Sequence, residues 1–556
     1  MVSKLARLFF TLRHLRPKQL VFFVLRRKFP ARAVADTCSP ELSETFSCKS
    51  PIDINGSGDG RFDFRFLNCQ KTFQSAIDWQ SIDESRLWRY NLHYFDYLRD
   101  ESRESQDKLF LIKDWIGNNP QGSEPGWEPF TVSLRIVNWI FFLGRKPDLV
   151  TEDILKSLYT QVLWLERNDE RHILANHYFE NLKALAFAGA FFRGEDADRW
   201  RKRAKSEIPQ QLIEQNLQDG GHYERSPQYH GLMLENYLDL YNLSNHTEVF
   251  DITFRDACYR QSMEGLQFLK GIIFPDGSIP LLNDSAFGVS PTYTELSDYF
   301  VRLSGKPSMN RVANPLINFL DSGLYGLRST KDMLIIDAGE IGPSYQPGHT
   351  HCDMLSYELM LRGKRVIVDT GVYEYEPGPM RHYVRSTQAH NTVTIADDEQ
   401  SEIWGEFRVA RRAKVLSAMA AMESDKRFLF EGSILGFYGI PGRVRHHRSI
   451  SVDLDDSGCF ESVHVMDRVE AKSGEAIESR IHFHPNFGIE ETETGVFAIS
   501  DGSGMSFTLI LPEGLKTRLE GSYYCPEFGK KLANQCMVIG FESASERFLR
   551  YELRID

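Results

Sequence analysis

The 556-residue sequence has no CxxC pair and no regular spacing among its eight cysteines, so it carries no disulfide framework. Cys38 and Cys48 could pair; free buried thiols are expected for the set. The apolar runs near the N-terminus, Leu8-Phe9-Phe10 and Val21-Phe22-Phe23-Val24-Leu25, are far shorter than the roughly 20 residues a membrane-spanning helix needs. No long apolar region followed by a small-residue cleavage site is present, so no secretory signal is read. A cytoplasmic location, or one peripheral to the inner membrane, is expected, and a periplasmic one stays open. The charge balance is negative, with 65 Lys and Arg against 77 Asp and Glu. The net charge of -12 excludes general attraction to nucleic acid, and an acidic substrate would need a local basic pocket. Acid is missing from one place: nine Lys and Arg precede the first acidic residue, Asp36. Such a basic, Leu/Phe-rich arm could lie on an anionic membrane surface or pack on its own protein. Oligomeric state has no signature.

At this length one core is too small a unit, and two large domains are expected. Hydrophobic residues at 42% and charged residues at 26% are ordinary for a globular protein. Residues 1–85 read as the basic arm and an irregular connector with at most short strands. Residues 86–318 read as helical. Leu182, Leu185, Ala186, Gly189 and Phe192 form an apolar stripe at three- and four-residue spacing. The segments 133–140 and 233–241 read as two further helices, and Asp219-Gly220-Gly221 and Asp276-Gly277-Ser278 as loops between helices. Helix pairs with polar loops at one end suggest a toroid or solenoid. Residues 319–556 change character, with short β-rich runs at 333–336, 393–395, 479–483, 507–511 and 537–541. That pattern marks an antiparallel sandwich.

The stretch from His349 to Asn391 holds the densest chemistry. Tyr357–Leu361 and Arg365–Val368 alternate with period two and read as paired strands joined at Arg362-Gly363-Lys364. His351, Asp369 and His390 then fall near strand ends. Two imidazoles and a carboxylate suit a divalent, zinc-like ion with a fourth position open. Their spacing is not a compact metal motif, and each histidine alone reads as an ordinary core or surface residue.

Several segments carry a resemblance: 87–95 (Leu-Trp-Arg-Tyr-Asn-Leu-His-Tyr-Phe), 127–135 (Trp-Glu-Pro-Phe-Thr-Val-Ser-Leu-Arg), Asn176-His177-Tyr178-Phe179-Glu180-Asn181, 219–230 from Asp219-Gly220-Gly221 to Tyr229-His230, and the His349–Asn391 stretch. In this order they resemble the heparinase II/III-like polysaccharide lyase family, over residues 85–550. The resemblance implies a multidomain α and β protein: an N-terminal (α/α) incomplete toroid followed by an antiparallel β-sandwich. It implies β-elimination on an anionic, uronic-acid-containing polysaccharide. The arm without a signal looks more like variants that accompany bacterial surface-polysaccharide or exopolysaccharide synthesis than like secreted digestive members.

By resemblance Tyr229 and His349 are the proton-transfer pair, and Asn176 and His177 handle the uronate carboxylate. The chemistry needs such groups, because the C5 proton is barely acidic while the neighbouring carboxylate keeps its charge. Asn176 could equally cap a helix. A phenol titrates near pH 10, so Tyr229 must be stabilised as phenolate or pass its proton along. Arg225, one helical turn earlier, is a plausible positive neighbour. Glu180 and His230 could support these groups, and Arg381, Tyr383 and Arg385, after the loop Pro377-Gly378-Pro379, could contact substrate or be solvated loop residues. The metal at His351, Asp369 and His390 is expected to be structural. Two rivals remain: a glycoside hydrolase using carboxylates such as Glu224 and Asp284, and a non-catalytic polysaccharide-binding component of surface-glycan assembly.

Overall fold

The structure is a computed structural model that describes residues 4–28, 33–35, 40–58, 60–307, 314–471, 475–541 and 548–555. Its helices are α1 (Lys4–Leu12), α2 (Pro17–Lys28), α3 (Arg86–Tyr94), α4 (Ser105–Asn118), α5 (Pro129–Arg145), α6 (Glu152–Asn168), α7 (Ala175–Phe191), α8 (Glu195–Gln215), α9 (Pro227–His246), α10 (Ile252–Ile272), α11 (Tyr293–Ser304) and α12 (Pro379–Arg385).

From α5 to α10 the chain alternates between two layers. α5, α7 and α9 pack side by side and bury nearly every residue; α8 and α10 lie outside them. The stripe expected on one face of α7 is therefore only part of its buried surface, because an inner helix is covered all round. α8 shows what an outer helix looks like. Its buried residues Ala197, Trp200, Ala204, Ile208, Leu212 and Gln215 recur every three or four positions, leaving the other face to solvent. This curved double layer is the expected toroid.

The C-terminal half is antiparallel throughout its named strand pairs. An eight-stranded sheet faces a second layer made of a five-stranded and a four-stranded sheet, which meet at the bridge between Ile367 and Phe483. The strand runs expected at 333–336, 393–395, 479–483, 507–511 and 537–541 all lie on strands or at their ends. Tyr357–Leu361 pairs with Lys364–Ile367 as expected. Arg362 and Gly363 between them have φ of 50° and 80°, the double left-handed turn that matches strand twist. The last toroid helix ends at Ser304 and the first strand begins at Leu316.

The five-stranded sheet joins the two halves. In the strand Met333–Asp337, Met333 and Ile335 belong to the toroid core, whereas Leu334 and Ile336 belong to the sandwich core. Met360 and its neighbours Leu359 and Leu361 divide the same way. Successive side chains point to opposite faces of a strand, so one sheet seals two cores.

The connector forms one small hairpin, Asp63–Phe66 with Cys69–Thr72. Cys48 is a free thiol, and Cys38 lies outside the described residues. The arm packs along the junction of the domains. Gln19 is buried and donates to the carbonyls of Ile173 (3.2 Å) and Tyr345 (3.4 Å). Arg16 lies 3.8 Å over the Tyr345 ring and pairs with Glu214 at 2.5 Å.

Ile335→Ala and Ile336→Ala truncate opposite faces of one strand. Each is expected to lower stability by about 2–5 kcal/mol, since each opens a cavity in a different core. Denaturant unfolding should stay a single transition by both circular dichroism and tryptophan fluorescence. Two separated transitions would show that the shared sheet does not couple the halves.

Candidate active site

Ser226 caps α9 by accepting from the Tyr229 N–H at 3.2 Å, and Pro227 takes the first helical position. Tyr229 therefore sits in the first turn, at the toroid surface that meets the sandwich. Its ring stacks on His349 at 3.8 Å between centroids, and its hydroxyl lies 3.3 Å from that of Tyr375. His349 Nδ1 is 2.8 Å from Asp284 Oδ2, and Nε2 is 3.5 Å from Glu224 Oε2. The two residues read as a proton-transfer pair are in contact.

Asp284 is fully buried and collects three partners. Besides His349 it holds His351 Nε2 at 2.8 Å and both arms of Arg381, the Nη2–Oδ2 contact being 2.8 Å. Burial opposes the charge on Asp284, but Arg381 and the two imidazoles outweigh it and hold the carboxyl well below the usual range. Glu224 is the reverse case: burial raises it against the pull of His349, His177 and the Asn176 amide. Burial, with Tyr375 and Asp284 beside it, also pushes the Tyr229 phenol well above its ordinary value.

Asn176 and His177 open α7. The backbone leading into them is held at positive φ by two residues with side chains, Leu174 (67°) and Ala175 (53°), a conformation that costs on the order of 1–3 kcal/mol per residue. Leu174 is the N-cap, so Asn176 is not a cap. Its Oδ1 accepts the His177 N–H at 2.8 Å. His177 rests on Phe130 at 4.4 Å and is partly open to solvent, with Nδ1 3.0 Å from Glu170. Burial disfavours a charged His177, but Glu170 more than offsets this and raises its pKa.

Other expected site residues are engaged elsewhere. Arg225 has φ of 57° and precedes the helix, so helical spacing does not bring it beside Tyr229; its guanidinium donates to the carbonyls of Glu340 and Asp321, each at 2.8 Å. His230, next to Tyr229 on α9, points inward to the Gly265 carbonyl at 2.9 Å, and burial lowers its pKa to about 4. Glu180 accepts from Asn236 at 2.6 Å within the toroid core. Tyr383 bonds Ser522 at 2.8 Å on the sandwich, and buried Arg385 donates to the carbonyls of Thr350, Gly405 and Glu406. Arg381 faces Asp284 rather than solvent. Asp284 cannot serve as a glycosidase carboxylate either, since both its oxygens are taken.

The metal-type cluster also differs from the expected trio. The ligand atoms of His351, Asp353 and His390 lie within 4.8 Å of one another, all buried. Asp369 instead holds His390 Nδ1 at 2.8 Å, as Asp284 holds His351 Nε2. The opposite nitrogens, His351 Nδ1 and His390 Nε2, are buried without a hydrogen-bond partner. Imidazoles backed by carboxylates, with the far nitrogen unpartnered, are the arrangement of metal-ligating histidines. The donor set fits a divalent ion, which His351, Asp353 and His390 would hold, with Asp369 backing His390. Asp353 adjoins the His349-Thr350-His351 signature, and its separation from His351 by one residue was the available signal. The partnerships of Asp284 with His349 and of Tyr375 with Tyr229 span 65 and 146 residues and left no local signal.

Two family profiles cover most of the chain: "Heparinase II/III N-terminus" over residues 60–302 and "Heparinase II/III-like, C-terminal" over residues 311–550. The chain belongs to the heparinase II/III family. Within this family it is similar to a heparin-sulfate lyase of Bacteroides stercoris, 22% identical over 85% of this chain and 75% of that protein. A heparin-sulfate lyase of Pedobacter heparinus is 24% identical over 61% of this chain, and the match spans 55% of that protein. A crystal structure of heparinase III overlays with a TM-score of 0.68 at 17% identity, covering 97% of this chain and 91% of that one. The heparan sulfate lyase structure from Pedobacter heparinus gives 0.56 at 16% identity, covering 89% and 81%. These likenesses show the toroid-plus-sandwich fold of the heparinase II/III family.

Asp284→Asn leaves Arg381 buried without its counter-charge and is expected to cost about 3–5 kcal/mol at neutral pH by chemical denaturation. The parent's advantage is full above the ordinary aspartate pKa of about 3.9 and is lost as pH falls toward the depressed folded value. The two proteins should therefore converge in acid. An Asn variant as stable as the parent at pH 7 would show that this junction does not secure the site.

Proposed function

We propose that the chain is a polysaccharide lyase that cleaves an anionic, uronate-containing glycan by β-elimination. The observation that carries this reading is the stacked Tyr229–His349 pair, with His349 oriented from behind by Asp284. A proton on Nδ1 donated to Asp284 leaves Nε2 of His349 as the basic nitrogen. That nitrogen takes the C5 proton. The electron pair released becomes the C4–C5 double bond as the C4–O bond breaks, and the departing oxygen needs a proton. Tyr229 keeps its proton at neutral pH because burial raises its phenol, so it serves as the acid. The hydroxyl of Tyr375 lies 3.3 Å from that of Tyr229, and the Arg225 guanidinium donates to the Glu340 and Asp321 carbonyls instead. In this reading His177, biased toward its charged form by Glu170, and the side-chain amide of Asn176 hold the uronate carboxylate as negative charge moves onto it.

The substrate we favour is a carboxylated bacterial surface or exopolysaccharide with little sulfate. Supporting this, Arg225, Arg381 and Arg385 are all bound internally, which leaves none of them to grip sulfate esters. The named relatives are heparin-sulfate lyases, so sulfated chains belong in the same assay.

Tyr229→Phe is expected to keep the fold and lower turnover by about 10²–10⁴-fold, read as ultraviolet absorbance of unsaturated ends on a panel of sulfated and unsulfated uronate polymers. Cleavage without an unsaturated end would make the protein a hydrolase, and binding without cleavage a glycan-binding component.

The ion we propose at His351, Asp353 and His390 is zinc, from its two nitrogen donors and one carboxylate. When bound it would supply positive charge and order to the sandwich side of the site. Protein purified without a histidine tag should contain about one equivalent, and chelation should lower its melting temperature. His390→Ala should lose the metal, whereas Asp369→Asn should weaken its affinity by about 10–100-fold. Parent protein without stoichiometric metal would overturn the assignment.

A further inference from the structure

α1 and α2 are built with their apolar side outward. Leu5, Leu8, Phe9 and Leu12 recur at i, i+3, i+4 and i+7, a stripe that in a surface helix normally faces the core. Here Leu5 is 78% exposed and Phe9 62%. On α2, Leu20, Val21, Phe23, Val24 and Leu25 are likewise exposed, Phe23 at 58%. The side turned toward the protein is the more polar one. Thr11 Oγ1 accepts from Trp404 Nε1 at 3.0 Å, Arg411 lies over Phe10, and Gln19 is the fully seated residue of α2. Neither helix contains an acid, and Lys4, Arg13, Arg16, Lys18, Arg26, Arg27 and Lys28 are all exposed.

An apolar row flanked by exposed cations, of which Arg16 is paired with Glu214, matches one occupant well. We propose that the arm docks the protein on an anionic lipid bilayer, with α1 and α2 lying in the headgroup layer. At 9 and 12 residues the helices are about 14 and 18 Å long. Among the described residues no helix is long and apolar enough to cross a membrane. The arm therefore lies on the bilayer. The rest of the chain carries the whole negative excess, so an anionic surface would repel other faces and present this one. The apolar side chains then insert at the acyl boundary while the cations meet lipid phosphates. Gln19 hydrogen-bonds both Ile173, just before the strained entry to α7, and Tyr345, in the loop that leads to His349. The docked element is thus fastened to both the toroid and the sandwich.

The test uses the full chain and sedimentation with vesicles of phosphatidylglycerol and phosphatidylcholine, beside vesicles of phosphatidylcholine alone. Binding to the anionic vesicles is expected at low salt, falling as salt screens it, with little binding to the neutral ones. Leu5→Asn, Phe9→Asn, Phe23→Asn and Val24→Asn combined should abolish sedimentation. Arg27→Glu with Lys28→Glu should weaken it at least tenfold, at roughly fivefold or more per basic residue. Both variants should keep the parent's melting temperature, because the altered side chains are exposed. The proposal is overturned if the parent stays in the supernatant at low salt, or if the apolar variant sediments like the parent. It is also overturned if light scattering shows a dimer that this variant converts to monomer, because the face would then join two copies of the chain.

Discussion

Asp284 is a carboxylate taken wholly out of water, with a guanidinium and two imidazoles converging on it. A buried charge carries a desolvation cost of several kcal/mol that only well-placed partners offset. The contacts bring three pieces of chain to fixed distances: the toroid loop holding Asp284, α12 with Arg381, and the sandwich loop with His349 and His351. His349 faces Tyr229, and His351 faces the metal-type cluster. One oxygen of the same carboxylate orients each. The stacked Tyr229–His349 pair and the metal-type cluster are thereby tied to one carboxylate.

The backbone around this assembly is held in a conformation that side chains disfavour. Leu174, Ala175, Arg225 and Asn283 all have positive φ, and they lie next to Asn176, Glu224 and Asp284. Such conformations persist only where surrounding contacts over-determine them. Asn283 illustrates how. Its side chain donates to the Arg225 carbonyl at 3.1 Å and accepts the His351 N–H at 3.0 Å, while its own N–H goes to Asp353 at 2.9 Å. The irregular loops are stitched to one another across the domain boundary, which places the polar groups without a regular element to carry them.

Patterns that repeat within a segment were readable from the sequence. The hairpin at Arg362-Gly363, the strand runs and the long inner helices follow from period-two and three-to-four spacing, and the family resemblance named Tyr229 and His349, which the structure brings into contact. What failed was whatever depends on direction across distant segments. Asp353 and Asp369 both stand near the histidines, and only the course of the strand ends decides which joins the two histidines as a donor and which backs the His390 ring. Arg225 was placed by counting a helical turn that the chain does not make there. Arg385 and His230 carry chemistry by type and packing by position, and their carbonyl partners leave no mark in a sequence.

The sheet with a different core on each face also restricts how such a protein can be taken apart or recombined. The strands Met333–Asp337 and Tyr357–Leu361 are written for two neighbours at once, with alternate positions answering to different domains. A toroid excised from this chain would keep a raw apolar surface where Met333 and Ile335 had closed it, and an isolated sandwich would carry those same residues bare. Grafting a foreign toroid would demand matching every second residue of the strand without disturbing those between. The two halves are distinct in sequence character, yet they constitute one inheritable unit whose boundary runs through the middle of a sheet, between alternate side chains.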